Sequence, residues 1–337
     1  MSYLAYVGRR TLFALLAVYL VVTVTFAVVA FTPDTELGGT IGAMERGGAS
    51  DAEVEAYVQE YREARGLDDP LHVRYADWLV DVTRLDFGPS HSFDQPVSAV
   101  LWPAIQRTAL YALPALALAV LLGSLLGVVS GALPRSPPDW LGRALAYAGV
   151  GVPAFVVAFA LAEPLAGELE WLRLLTWDQT PFDNMGRPYL PNDGLWPPSE
   201  PLRFLAPAAA FAVVLAGWQL RYVRTAYLDR AGAESVKLHR AKGAGPLTVA
   251  RHVLRNAAVP IVSASLSELL AVVFVNLYVV ESVFGIQGVA AYNMIAVRQR
   301  DMPLIIGTSI ALAVAGILAS YVQDLAYGYL DPRIGTG

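Results

Sequence analysis

The chain has 337 residues, of which 55% are hydrophobic and 16% are charged, and its formal net charge is −5. Ordinary soluble domains are less apolar, so this composition indicates an integral membrane protein. Cysteine is absent, which excludes disulfides, thiolate metal sites and a cysteine nucleophile.

The first apolar run covers residues 11–31 and follows Arg9 and Arg10. It carries no charge and is long enough to cross a bilayer core of about 30 Å as a helix. A secretory signal has an apolar core of only about 7–15 residues and a small-x-small cleavage site. We therefore expect a retained span whose N-terminal end lies inside.

Further apolar segments predict five more spans in the remainder of the chain. Two acidic segments, 32–106 and 165–201, are predicted to lie outside, because loops that cross the membrane are poor in Lys and Arg. The expected fold is all-α, with six transmembrane helices and both termini in the cytoplasm. The five further spans are 108–134, 144–162 with a break at Pro153, 204–220, 257–280 and 302–322.

Two local patterns predict structural detail. Gly123, Gly127 and Gly131 recur at four-residue spacing in the second span, which is typical of a close helix-packing face. In the external segment, residues 51–65 have a helical pattern.

The most strongly basic stretch is residues 228–260, which we call the basic segment. Its only acids are Asp229 and Glu234, and a positive loop beside apolar spans is expected to stay in the cytosol. We predict one helix over 233–242, a turn containing Gly243, and a second short helix that starts at Pro246. The basic residues of the segment are Arg230, Lys237, Arg240, Lys242, Arg251 and Arg255.

The second predicted helix has an apolar face and a basic face. Leu247, Ala250 and Val253 recur at three-residue spacing, while Arg251 and Arg255 occupy other parts of the circumference. The pattern fits a solvated loop that only orients the protein, and it equally fits a docking element for a cytosolic partner.

The basic segment resembles the cytoplasmic signature loop of permease subunits of binding-protein-dependent ABC importers, in the dipeptide, oligopeptide and nickel branch. Leu238 and His239 depart from that pattern, in which small residues are commoner. The resemblance extends over residues 11–334, including 281–295 and the tail around Asp331. Its positions in the basic segment are Glu234, Arg240, Ala241, Lys242, Gly243, Arg251, His252, Arg255, Asn256 and Pro260.

The resemblance implies a MetI-like fold, with a first helix and external region over 1–105 and a five-helix core over 106–334. It implies a multi-pass protein of the plasma or inner membrane that forms the translocation path for di- or oligopeptides. The same branch includes carriers of nickel chelates and oligosaccharides. The basic segment would couple this path to ATP hydrolysis by a partner.

The implied partners are two cytosolic ATP-binding subunits, a second homologous permease subunit, an extracellular or lipid-anchored solute-binding protein and the lipid bilayer, but no nucleic acid. ATP and magnesium would belong to the ATP-binding subunits, and no cofactor is expected in this chain. The sequence agrees, because a P-loop has the pattern G-x-x-x-x-G-K-[ST]. Lys237 precedes Leu238 and Lys242 precedes Gly243, so neither lysine fits it.

Two polar residues, Glu268 and Asn276, lie inside the fifth predicted span, eight positions apart and thus on roughly one helix face. Polar side chains are costly in hydrocarbon, so both should face protein or water. They would either line the solute path or form helix-to-helix hydrogen bonds, and we favour the second interpretation. Glu281 and Asp324 are expected to act as anchors near the membrane surfaces.

Other functional classes fit less well. A secondary transporter would show paired inverted halves, but the basic segment has no second copy. A membrane enzyme would need catalytic residues or a metal site, and neither is expected here. No H-E-x-x-H pattern occurs, and the histidines are scattered. They are His72, His91, His239 and His252.

Overall fold

The computed structural model of the chain describes residues 3–32, 35–167 and 204–330. The predicted external loop 165–201 from position 168 onward, and the predicted tail 331–334, lie outside these residues. The described part is almost entirely helical, as predicted, with one short antiparallel ladder of β1 (Pro89–Ser90) and β2 (Gln95–Pro96). The helices are α1 Tyr3–Phe31, α2 Thr35–Arg46, α3 Asp51–Ala64, α4 Leu71–Thr83, α5 Val97–Ala132, α6 Pro137–Gly151, α7 Ala154–Gly167, α8 Leu205–Ala231, α9 Glu234–Ala241, α10 Pro246–Phe284, α11 Val289–Gln299 and α12 Met302–Leu330.

Four of the described helices, α1, α5, α8 and α12, are each long and apolar enough to cross a membrane. Two bent pairs bring the number to six if each pair is one span. The helices α6 and α7 meet at 106°, and the end of α10 meets α11 at 83°. The first bend lies at the predicted break, because helix α7 begins only after Pro153.

The basic segment is organised differently from the prediction. Helix α8 continues to Ala231, so its last turn includes the start of the segment. The second short helix and the fifth span are one continuous helix, α10. The physical reason is that residues 246–284 contain no glycine and no polar turn sequence, and Pro260 alone does not end the helix.

Helices α5 and α8 form the closest pairing of the core, and the predicted glycine face makes it. A Cβ atom added to Gly127 would lie 2.7 Å from the Cβ of Val223. In the same way Gly123 meets Gln219, and Gly131 meets the ring of Tyr227. The prediction of a packing face is confirmed, since only glycine leaves room for this approach.

Helix α1 is attached to α12 through polar side chains at one end and through an apolar cluster of Val22, Ile306 and Ile310 further along. The hydroxyl of Tyr6 donates to the backbone carbonyl of Asp324 at 2.9 Å, and Arg10 forms an ion pair with the Asp324 carboxylate at 3.1 Å. Thr11 and Tyr321 share a hydrogen bond of 2.7 Å one turn further along. The expected anchoring role of Asp324 is therefore a contact between two helices.

The external region is tied to the membrane helices at two points. Trp78 on α4 donates from Nε1 to the Val22 carbonyl of α1 at 3.3 Å. Asp301, between α11 and α12, accepts hydrogen bonds from the Ser90 hydroxyl at 2.5 Å and the Ser92 amide at 2.9 Å. Burial alone would raise the pKa of Asp301, but these hydrogen bonds hold the pKa below its ordinary value.

The predicted helix at 51–65 is confirmed as α3. Its first turn carries a capping box, in which the Glu53 amide donates to the Ser50 hydroxyl and the Ser50 amide donates to the Glu53 carboxylate. These two bonds satisfy backbone donors that would otherwise lack partners in a short exposed helix.

Candidate functional site

The basic segment rests on a compact apolar base. Val236 of α9 and Val253 of α10 are 2% and 0% exposed, and both pack against Tyr227 and Val249. Because Tyr227 belongs to α8 and Gly131 of α5 lies against its ring, this base joins the segment directly to the α5–α8 pair. Helix α9 is thus packed onto the membrane core.

The turn after α9 has the geometry predicted for it. Gly243 has a φ of +77°, in the left-handed region that favours glycine. The Ala244 amide donates to the His239 carbonyl at 3.1 Å, and the Gly243 amide donates to the Arg240 carbonyl at 3.0 Å. These two bonds form a Schellman motif, which ends α9 and directs the chain into α10.

Three contacts between polar side chains or with the backbone organise the surface of the segment. The rings of His239 and His252 stack with their centroids 4.1 Å apart, which links α9 to α10. Asn256 donates from Nδ2 to the His252 carbonyl at 2.9 Å. Glu234 and Lys237 form an ion pair of 3.0 Å, so part of the basic charge on α9 is offset within the helix.

The outer face of the segment combines positive charge with exposed leucines. Leu247 is 84% exposed and Leu238 is 53% exposed, although both lie in a polar part of the chain. Leu238, one of the two departures from the family pattern, is therefore an exposed apolar side chain of the kind that occurs at protein interaction sites. The exposed basic and small residues of the segment include Arg240, Ala241, Lys242, Gly243, Arg251 and Arg255.

The structure brings all predicted residues from Glu234 to Asn256 into this one region. Pro260 and Glu268 lie further along helix α10, and their side chains are outside the described residues. Asn276 is half-buried and donates from Nδ2 to the Val272 carbonyl at 2.7 Å. That bond is within α10, so the favoured helix-to-helix hydrogen bond of Asn276 is not the contact observed.

The expectation that Glu281 anchors the protein near a membrane surface is wrong. Its side chain is 1% exposed and binds donors from two other helices. Oε1 accepts the hydroxyls of Thr108 at 2.7 Å and Tyr111 at 3.1 Å, and Oε2 accepts the Ala291 amide at 2.7 Å. A buried carboxylate needs such donors because it has lost its water.

Gly288 explains how Glu281 reaches the start of α11. This glycine occupies the N-cap position, and a Cβ atom there would overlap Glu281 and Thr108. The Thr108 hydroxyl oxygen accepts the Val289 amide at 3.0 Å. Side chains from α5 and α10 therefore cap α11 in place of its own N-cap residue. The only sequence signal for this cap is recognisable in hindsight: Glu281 at the end of an apolar helix is followed within a few residues by Gly288.

A second buried carboxylate, Asp139, was not predicted either. It is 2% exposed, in the first turn of α6. Its Oδ1 accepts the Ser130 hydroxyl and the Arg224 Nε–H, both at 2.8 Å, and its Oδ2 accepts the Arg135 amide at 2.9 Å. Asp139 thus joins the end of α5, the start of α6 and the middle of α8. Its placement depends on helix packing, which the local sequence does not encode.

Residues 119–336 match the family described as the inner membrane component of binding-protein-dependent transport systems. The chain belongs to this family. It is an ABC importer permease of the peptide type, and its apolar helices and family place it in the cell membrane as a multi-pass protein.

Three similar proteins cover nearly the same length as this permease. One is the dipeptide transport system permease DppB of Bacillus subtilis, 28% identical over 96% of each chain. Another is the probable D,D-dipeptide transport system permease DdpB of Escherichia coli, 30% identical over 86% of this chain and 87% of the relative. The third is the glutathione transport system permease GsiC of Salmonella typhimurium, 27% identical over 98% and 99% of the two chains.

Proposed function

We propose that this permease forms the translocation path for di- or oligopeptides and that the basic segment couples the path to ATP hydrolysis by a cytosolic partner. The relatives support the solute class, because their names specify dipeptides, D,D-dipeptides and glutathione. The exposed leucines beside basic side chains support the coupling role, because exposed apolar side chains of this kind fit the groove of a partner.

The observation that carries the proposal is the contrast between the two sides of α9. Its inner side, at Val236, is fixed against Tyr227 and Val253, while its opposite side exposes Leu238 and Ala241. A force applied by a partner to the outer side would be transmitted to α8 through the packed inner side. A solvated loop that only orients the protein in the membrane would not need this rigid base.

The proposed assembly contains two ATP-binding subunits, a second homologous permease and a solute-binding protein on the external side. ATP and magnesium would be bound by the ATP-binding subunits. Closure of those subunits would displace α9 and the first turns of α10, and the helices packed on them would open the path alternately to each side. Selectivity would come mostly from the binding protein.

The coupling role is tested by Gly243→Val in the reconstituted complex. Valine at a φ of +77° is strained, and its side chain would project from the outer surface, since a Cβ atom at this position has no neighbour within 4 Å in this chain. We expect membrane insertion to be retained and solute-stimulated ATPase activity to fall at least about tenfold, which corresponds to about 1.4 kcal/mol of lost coupling.

The control is Gly232→Val at the end of α8. Gly232 also has an open environment, but its φ of −82° suits any residue. We expect stimulated ATPase activity to remain within about twofold of the unmodified complex, about 0.4 kcal/mol. A Gly243→Val complex of normal subunit composition with undiminished stimulated ATPase would refute the coupling role.

The solute class is tested on the binding protein that delivers solute to the assembled transporter. We expect a panel of di- to pentapeptides to bind and to stimulate ATP hydrolysis. Nickel chelates and oligosaccharides should do neither. Stimulation by one of these other solutes, with no response to peptides, would replace the peptide assignment while leaving the coupling role intact.

A further inference from the structure

Asp139 and Arg224 connect three helices near the basic segment. Both side chains take part in one cluster, since Arg224 Nε–H donates to Asp139 Oδ1 at 2.8 Å and to the Ser130 hydroxyl at 3.1 Å. Arg143, on the next turn of α6, lies 3.7 Å from the same carboxylate. The cluster is therefore an ion pair between α6 and α8, with a hydroxyl of α5 bound to both partners.

The surrounding backbone leaves little room for the two helices to slide. Gly142 of α6 lies so close to α5 that a Cβ atom there would be 2.8 Å from the Ser130 Cβ. Further along α6, a Cβ atom on Gly217 of α8 would be 2.6 Å from the Gly149 Cα. The ion pair thus fixes the register of α6 on α8 at one end of a tight helix crossing.

The position of Arg224 gives this pair a direct route to the basic segment. Arg224 is one helical turn from Tyr227, and Tyr227 packs against Val236 of α9. Displacement of α9 would therefore act on α8 within one turn of Arg224. The glycine contacts restrict sliding by shape alone, whereas the ion pair adds a directional bond.

We propose that Asp139 and Arg224 are a positioning pair that makes α6 follow the displacement of α9. The inference rests on the proposed coupling role of the basic segment. Arginine suits this role because its planar guanidinium binds the carboxylate and the Ser130 hydroxyl in a fixed geometry. Neutralising Asp139 leaves the partly buried Arg224 without its counterion, so the two helices lose their fixed register.

Spin-label distance measurements test the proposal in the full complex, and the absence of native cysteine allows specific labelling of this chain. One pair of labels, Ser235→Cys with Val322→Cys, reports on α9 against α12. A second pair, Leu141→Cys with Val322→Cys, reports on α6 against α12. All three positions are exposed. We expect a non-hydrolysable ATP analogue to change both distances when Asp139 is intact.

In Asp139→Asn, the α9 distance should still change, whereas the change in the α6 distance should fall to less than half. Arg224→Lys keeps the charge but lacks the Nε donor, and it should reduce the α6 change in the same direction. Arg224→Lys also tests the positioning pair if the Asp139→Asn complex does not assemble. Asp301→Asn is the matched control, since Asp301 is equally buried but binds Ser90 of the external region. In this variant the α6–α12 distance should change as much as in the unmodified chain.

The outcomes separate the two claims. A full α6 change in Asp139→Asn and Arg224→Lys overturns the positioning pair and leaves the coupling role standing. An α6 distance that does not respond in the unmodified chain overturns it as well. If the α9 distance does not respond to the nucleotide in the unmodified chain, the coupling role and the positioning pair both fail.

Discussion

Helices α8 and α1 are held in this permease in opposite ways. In the most apolar stretch of α8, 67% of the residues are buried, and the helix packs against a row of glycines on α5. In that of α1 only 6% are buried, and the helix is attached to α12 through a few polar side chains and one small apolar cluster around Val22. Helix α8 therefore belongs to a core that depends on close backbone contact, whereas α1 is a peripheral helix tethered to that core. The family match begins at residue 119, inside α5, and so excludes α1.

The largest effect is expected from a substitution that separates the core pair. Gly127→Leu would place a side chain where Val223 already lies, and overpacking of this kind costs about 3 kcal/mol or more for so large an insertion. We expect a strongly lowered Tm in detergent and little assembled complex. Size-exclusion chromatography and a thermal unfolding assay measure both.

Gly8→Leu in α1 is the matched control, because a Cβ atom at Gly8 has no neighbour within 4 Å. Here the stability should change by less than about 1 kcal/mol, the range set by helix propensity. If the two substitutions destabilised the protein equally, the distinction between a packed core and a tethered helix would be wrong.

A much smaller effect is expected where α1 is tethered. Asp324→Asn removes the ion pair with Arg10, but both side chains are about one third exposed, so solvent screening limits the loss to about 1 kcal/mol or less. The bond from Tyr6 persists because it is made to the Asp324 backbone. Thermal unfolding should show a slightly lowered Tm.

Asp229→Asn, at an exposed position near the end of α8, provides the baseline for neutralising a surface acid in the same assay. A loss for Asp324→Asn as large as that for Gly127→Leu would show that α1 belongs to the core after all.

Patterns with a local physical cause were predictable from the sequence. The membrane helices follow from long apolar runs, the α5 packing face from the spacing of three glycines, and the turn at Gly243 from the conformational freedom of that residue. Each depends on neighbours in sequence or on a repeated period, so one chain without relatives is enough to detect it.

The buried hydrogen-bond clusters were not predictable in this way. Glu281 resembles a surface anchor in sequence because its donors, Thr108 and Tyr111, are about 170 positions away. Asp139 resembles a residue of a polar turn until Arg224 is placed beside it. The continuity of α10 was missed for another reason, since the polar character of its first turns suggested a short helix separate from the fifth span, although the helical period does not stop.

That continuity has a mechanical consequence. Helix α10 has 39 residues, which at about 1.5 Å per residue makes a rod of about 58 Å. One end carries the basic side chains Arg251 and Arg255, and the other end carries Glu281. A tilt of about 5° at the first end would shift the second by about 5 Å over this length. A displacement of the basic end would therefore act on the hydrogen bonds that Glu281 accepts from Thr108 of α5 and from the Ala291 amide of α11, at the far end of the same helix.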